Sequence, residues 1–453
     1  MTTRSGPRLL PPKWAGAVSE ARVARGLSTI GLACFAYILL RPVSHNFVLV
    51  PVLGLMGLSA ALAWLVFGRR MHRQVARPAG LFMAVSVYGC LIGLGNPGIL
   101  ESAILFVAFP TMFWVCASAV NGFTLRWLIL IAAWASIITS VSILLLVAGQ
   151  LHVLPQLVPG WMRAQMGGSV DSNHTLAVTW YSLSTLVAAG PLWTASLFLK
   201  RDRLLPHLWV RLAATLTCFG AALVSGRNTL LLAIALAPFL VWLSGLIVTG
   251  GRSRNPVSRS MFAIYLVVVA AGAKYATLAP KGSLPRDAWD STTALVSMNP
   301  SASDASGLVR LERLHELNPI IRAHPIFGTG MGANVPGYPR NPLHMEMQFH
   351  LLLSQTGLVG VALALAGLLA AVLAVRAAYQ RAPRFGNTII VTAAAAISML
   401  ISNATNPYLI APGHLWVVFL PFAVANYALQ STERVPQSRA PDIAADLGAV
   451  SGR

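Results

Sequence analysis

Arg227 stands in Ser225-Gly226-Arg227-Asn228, a short turn between two long apolar stretches. A guanidinium held at the edge of a hydrocarbon layer is costly unless an anion meets it. Arg310 and Arg313 follow on a stretch of helical periodicity, Arg322 lies further along it, and Arg163 sits in an earlier polar segment. Forked guanidiniums that converge on one cavity suit a diphosphate, because bidentate N–H to oxygen pairing supplies geometry as well as charge. Taken singly, each is also served by a lipid phosphate, or by a nearby acid such as Glu312 or Glu316.

A second group is Leu343-His344-Met345-Glu346-Met347-Gln348-Phe349-His350, at the entry to an apolar run. A carboxylate at a helix end, flanked by two histidines, has the composition of a general base for a sugar hydroxyl. Glu346 and His350 are four apart and share a face of any helix that includes both. His344 and Glu346 are two apart and diverge by about 200° on a regular helix, so they converge only if the helix starts later. An interfacial polar cluster that merely anchors the helix has the same composition. A third group, His324-Pro325-Ile326-Phe327-Gly328-Thr329-Gly330-Met331-Gly332, is glycine-rich, but no strand leads into it and no helix visibly starts from it. It reads as a tight turn packed near the membrane rather than a phosphate cradle.

The elements that must hold these residues are apolar helices. Of 453 residues, 56% are hydrophobic and 10% charged, against about 25% charged in an average soluble domain. Twelve apolar segments can be counted, with cores near 26–40, 47–67, 79–95, 99–119, 127–149, 175–199, 208–224, 229–249, 261–279, 349–375, 387–402 and 410–429. The fold class expected is an all-α polytopic membrane protein, about twelve transmembrane helices with a large periplasmic loop between helices 9 and 10. Residues 1–25 read as a cytoplasmic tail, 26–429 as the membrane domain and 430–453 as a disordered cytoplasmic tail. The outer loops run from about 150 to 174 and from about 280 to 348.

Charge supports that alternation. With the N-terminus inside, 23 of the 33 Lys and Arg fall on the cytoplasmic side and 10 outside, while the acids divide as 5 and 8. The formal +20 is thus loop sorting and not the mark of a nucleic-acid partner. In the long outer loop Leu308, Leu311, Leu314, Leu317 and Ile321 recur at three- and four-residue spacing, which predicts a helix lying along the membrane–water boundary. The four cysteines (Cys34, Cys90, Cys116 and Cys218) lie inside apolar runs without CxxC spacing, which argues against a disulfide framework or a zinc site.

In this order, on a twelve-span frame, these residues resemble the O-antigen ligase and O-antigen polymerase family of bacterial inner-membrane glycosyltransferases. Ser225 to Leu232 looks like the family's SR-containing turn. Arg310 with His324 to Gly330 looks like its R…hPlfGvG block, and Gly357-Leu358-Val359-Gly360 looks like its G-x-x-G. Arg163 with Gly167 to Ala177 is more loosely similar to an R…G…N…A element. The resemblance covers about 160 to 365. It departs at one place: the family's essential His lies eleven residues before G-x-x-G, and that position here is Glu346, with Met347 for the usual Asn. Either Glu346 takes the role, or His344 supplies it from a shifted helix start.

What the resemblance implies is a metal-independent, inverting transferase of the inner membrane with both termini cytoplasmic and no cofactor. Its donor is a glycan on undecaprenyl diphosphate, and its acceptor is a sugar hydroxyl on lipid A–core (ligase) or on another lipid-linked repeat (polymerase). Arg227 and Arg310, with Arg163, bind the diphosphate, and Glu346 or His344 is the base. The rival class is a twelve-span secondary transporter. Against it, the acids near a membrane plane, Glu101 and Glu346, lie at outer ends and not at the midplane where coupled carriers hold theirs.

Overall fold

The computed structural model of the chain describes residues 12–41, 46–68, 70–163, 167–170, 176–179, 183–224, 228–251, 259–280, 305–336, 345–404 and 406–433, with Arg286, Trp289, Asp290 and Thr293. These residues are almost wholly helical. In chain order the long helices are α1 (Pro12–Leu40), α2 (Asn46–Val66), α3 (Arg73–Ile92), α4 (Ile99–Ala119), α5 (Gly122–Gln150), α6 (Leu183–Leu197) and α7 (Leu208–Val224). They continue as α8 (Asn228–Thr249), α9 (Arg259–Leu278), α10 (Ala305–Ala323), α11 (Gln348–Arg381), α12 (Gly386–Asn403) and α13 (Trp416–Glu433). Eight of them (α1 to α5, α8, α11 and α12) contain stretches long and apolar enough to cross a membrane. Shorter apolar helices fill Thr185–Leu197, Leu208–Val224 and Phe262–Leu278. The chain is a multi-pass α-helical membrane protein.

Every anticipated apolar segment therefore contains a helix, with three differences. First, α1 starts at Pro12, inside the stretch expected to be a tail. Ala, Glu and Arg between Ala15 and Arg25 are strong helix formers, so the helix propagates beyond its apolar part. Second, the segment expected from 175 becomes helical only at Leu183. Before it, Leu176–Thr179 pairs antiparallel with Gly167–Val170 as a short two-stranded hairpin. Third, α11 runs for 34 residues and is broken at Gly357. Of the disordered tail expected from 430, residues 430–433 complete α13 instead, and the rest lies outside the described residues.

Small residues let the helices approach closely, as expected where lipid offers no hydrophobic drive between helices. Ala132, Ala133, Ser136 and Ser140 of α5 are buried, as are Ala214, Cys218, Ala221 and Ala222 of α7. Trp193 is fully buried and donates from Nε1 to Ser136 Oγ at 3.1 Å. At the end of the bundle where α11 hands over to α12, the α6–α7 loop is clamped to α12 through one carboxylate. Asp202 accepts from Leu204 N (3.0 Å), Leu205 N (3.2 Å), Thr388 N (2.7 Å) and Thr388 Oγ1 (2.7 Å).

At the other end the glycine-rich run is the turn expected of it, and it is docked by main chain on both sides. Thr329 N and Gly330 N donate to Ser354 O and Gln355 O of α11, each at 2.9 Å, and Met331 N donates to Gly89 O of α3 at 2.8 Å. Asn96 Nδ2 caps the turn by donating to Thr329 O (3.1 Å) and Met331 O (3.0 Å). Gly330 has φ +84°, and a Cβ there would overlap the backbone of Gly93. Gly357 has φ +59° and ψ −166°, and a Cβ there would strike the carbonyl of Ile326. Only glycine combines that conformation with that approach. The break frees the N–H groups of Leu358 and Val359, which donate to Pro325 O (2.9 Å) and Ile326 O (3.1 Å).

Candidate functional site

α10 is tied to α11 at two places. Near its start Arg310 Nε lies 3.5 Å from Glu346 Oε2, just ahead of α11. Past its end Pro325 and Ile326 accept from the kink of α11. The helix therefore runs alongside the first turns of α11, and part of the apolar stripe that its periodicity predicted faces that helix. The cause is its buried stripe: Leu317, with Leu314, Ile320 and Ile321, packs on Met345, Met347, Leu351 and Val335 in a small separate core. Leu308 and Leu311, the first two members of the expected stripe, are exposed.

The side chains of Arg310 and Glu346 are 16% and 29% exposed, so both are largely withdrawn from water. Neither Arg310 Nε nor Glu346 Oε2 has a hydrogen-bond partner. Arg313, one turn on, donates through NH1 to both oxygens of Glu316 (2.8 and 2.7 Å) and lies 3.7 Å from Glu312. Burial pushes the Glu346 carboxyl above its ordinary range, and the charges of Arg310 and then Arg313 offset this only in part. A carboxyl raised in this way is a better proton acceptor near neutral pH than a free one.

Met347 explains the local geometry. It is the N-cap of α11 and holds φ +63°, a left-handed conformation uncommon for a side chain of this size and several-fold enriched for Asn. The helix therefore begins at Gln348, and Glu346 stands ahead of it. The helical face that Glu346 and His350 were expected to share does not exist. His350 Nδ1 is buried without a hydrogen-bond partner one turn into α11.

Of the other expected site residues, Arg163 is exposed at the end of the single helical turn Gly160–Arg163, its N–H donating to Pro159 O at 3.0 Å. Arg227 and His344 lie outside the described residues. Among the described residues no group of three His, Cys, Asp or Glu is arranged to hold a metal.

From the first turn of α11 an apolar cavity of about 490 Å³ extends along that helix. Phe349 and Leu352 line it at one end and Val375 at the other, with Phe82, Trp114 and Phe422 from α3, α4 and α13.

Sequence reasoning missed a second polar cluster. Arg41, at the end of α1, is 1% exposed, and His414, before α13, is buried with Nδ1 3.1 Å from Thr185 Oγ1. An Arg directly after an apolar run was the only signal in the sequence.

Fold and site together define a polytopic membrane protein with an Arg–carboxylate pair just ahead of α11 and an apolar cavity along that helix. No known family model matches the chain, and no curated protein is significantly similar to it.

Proposed function

We propose that this chain is an O-antigen-ligase-like glycosyltransferase of a bacterial inner membrane, with twelve spans, both termini cytoplasmic and the α10–α11 site on the periplasmic side. The observation that carries this reading is the half-buried Arg310–Glu346 pair just ahead of α11, the helix whose residues from Phe349 onward line an apolar cavity. An undecaprenyl diphosphate-linked glycan has an apolar chain for the cavity and a diphosphate for Arg310, with Arg227 and Arg163 as further cations. The acceptor hydroxyl attacks the anomeric carbon, the bond from that carbon to the diphosphate oxygen breaks with inversion, and Glu346 or His344 takes the hydroxyl proton. Arg310 stabilises the charge that develops on the leaving diphosphate, which is where fixed cations accelerate such a step most. The sorting of Lys and Arg supports the orientation.

Deleting the gene tests the reading. Long polymer accumulating on the lipid carrier marks a ligase, whereas single repeats accumulating there mark the polymerase of the same family. Unchanged surface and lipid-linked glycans would overturn both. Complementation with Glu346→Gln and, separately, with His344→Ala identifies the base, since one of the two must fail to restore the glycan. Reporter fusions at 70 and 200 are expected to report cytoplasm, and fusions at 163 and 310 periplasm.

A further inference from the structure

Glu346 and Arg310 are close in space and poorly bonded. The contact is 3.5 Å through Nε, and the two facing atoms are shielded from solvent without a hydrogen bond. Arg313 on the same helix shows what a committed pair looks like, with two bonds under 3 Å to Glu316. The difference is not slack backbone. Met345 and Met347 on either side of Glu346 are both buried in the small core with Leu317, Val335 and Leu351, so only the Glu346 side chain is left to move. A guanidinium offers two parallel N–H donors to a matching oxyanion, and this pair forms no such fork.

We propose that Glu346 is an internal competitor for Arg310. A diphosphate that takes the guanidinium displaces the carboxylate, and this displacement is what releases Glu346 to the acceptor hydroxyl. The inference rests on the function proposed above and adds an order to it: donor first, then activation of the acceptor. A diphosphate brings more charge and more oxygens than one carboxylate, and its approach repels Glu346 from Arg310 as well as outbidding it. The arrangement also ties the base to the loaded site, so a water molecule meeting the unloaded protein finds Glu346 engaged with Arg310.

The test is the affinity of the purified full-length chain for undecaprenyl diphosphate in detergent. Glu346→Gln is expected to bind about two- to fivefold more tightly than the unaltered chain, the upper part of the range for removing one ion-pair competitor, while losing glycan transfer. Glu346→Ala is expected to shift affinity in the same direction, which covers a failure of either variant to fold. Arg310→Ala is expected to lose binding. Equal or weaker binding by both Glu346 variants would overturn the competition and leave the proposed function standing. An unaltered chain that does not bind, or an Arg310→Ala variant that binds as well as it does, would overturn both.

Discussion

Two carboxylates stand at opposite ends of α11 and are treated in opposite ways. Asp202 accepts four hydrogen bonds, from two backbone N–H groups of its own loop and from both the N–H and the hydroxyl of Thr388. Glu346 has one long contact to Arg310, and its facing oxygen has no hydrogen bond. A carboxylate bonded in this way is a structural rivet: four donors fix it between a loop and a helix. An under-bonded one carries a standing cost, because charge is withdrawn from water without full compensation. That cost is what a site with chemistry still to do looks like.

The largest test of this contrast is Glu346→Gln. If Glu346 is the base, transfer falls by about 10²- to 10⁴-fold, with the melting temperature nearly unchanged; retention of activity in membranes would reduce the carboxylate to an anchor. Asp202→Ala is the mirror experiment. It strands two loop N–H groups and the start of α12, and is expected to cost about 2–3 kcal/mol of stability, read as a lower melting temperature in detergent, with the surviving protein fully active.

A smaller effect separates charge from burial. Glu346 must be ionised to accept a proton, and its pKa is raised, so the rate is expected to fall as pH drops through a value above the ordinary 4.5. Arg313→Gln removes one of the two charges that favour the carboxylate, so the acid limb of the pH–rate profile should move to higher pH. A limb that moves down, or stays, would show that Arg313 does not act on Glu346. The smallest effect belongs to Arg322→Ala. This residue is exposed near the end of α10, and its loss should leave transfer within about twofold and stability within about 0.5 kcal/mol. A loss as deep as that of Arg310→Ala would mean that the cationic helix as a whole, and not one placed guanidinium, meets the donor.

The helices were legible because burial in lipid needs only length and composition, both of which survive in a linear string. Arg310 and Glu346 were each legible as chemistry. Their pairing was not, because periodicity reports which face is apolar and not what the face meets. The stripe Leu314, Leu317, Ile321 fits lipid and the head of α11 equally well until Met345 and Leu351 are in place. That Glu346 stands off the helix that carries His350 was not legible for a related reason. A methionine in the left-handed region has no signature in sequence, and the strain is borne by burial of the Met347 side chain. The glycine run was read as a turn, but that its partners are other backbones, Gly89 and Gly93 on one side and Ser354 to Gly357 on the other, depends on residues far away in the chain.

That glycine turn also sets a timetable. The carbonyl of Gly89 lies in the last turn of α3 and Asn96 just past it, yet their partners Thr329 and Met331 are translated more than 230 residues later. At about 5–20 residues per second the ribosome takes roughly 10 to 50 s to deliver them. Throughout that interval a glycine-lined seam is open in the nascent bundle, and nothing made earlier can close it. One of the first hairpins to be synthesised is thus among the last parts of the molecule to be finished.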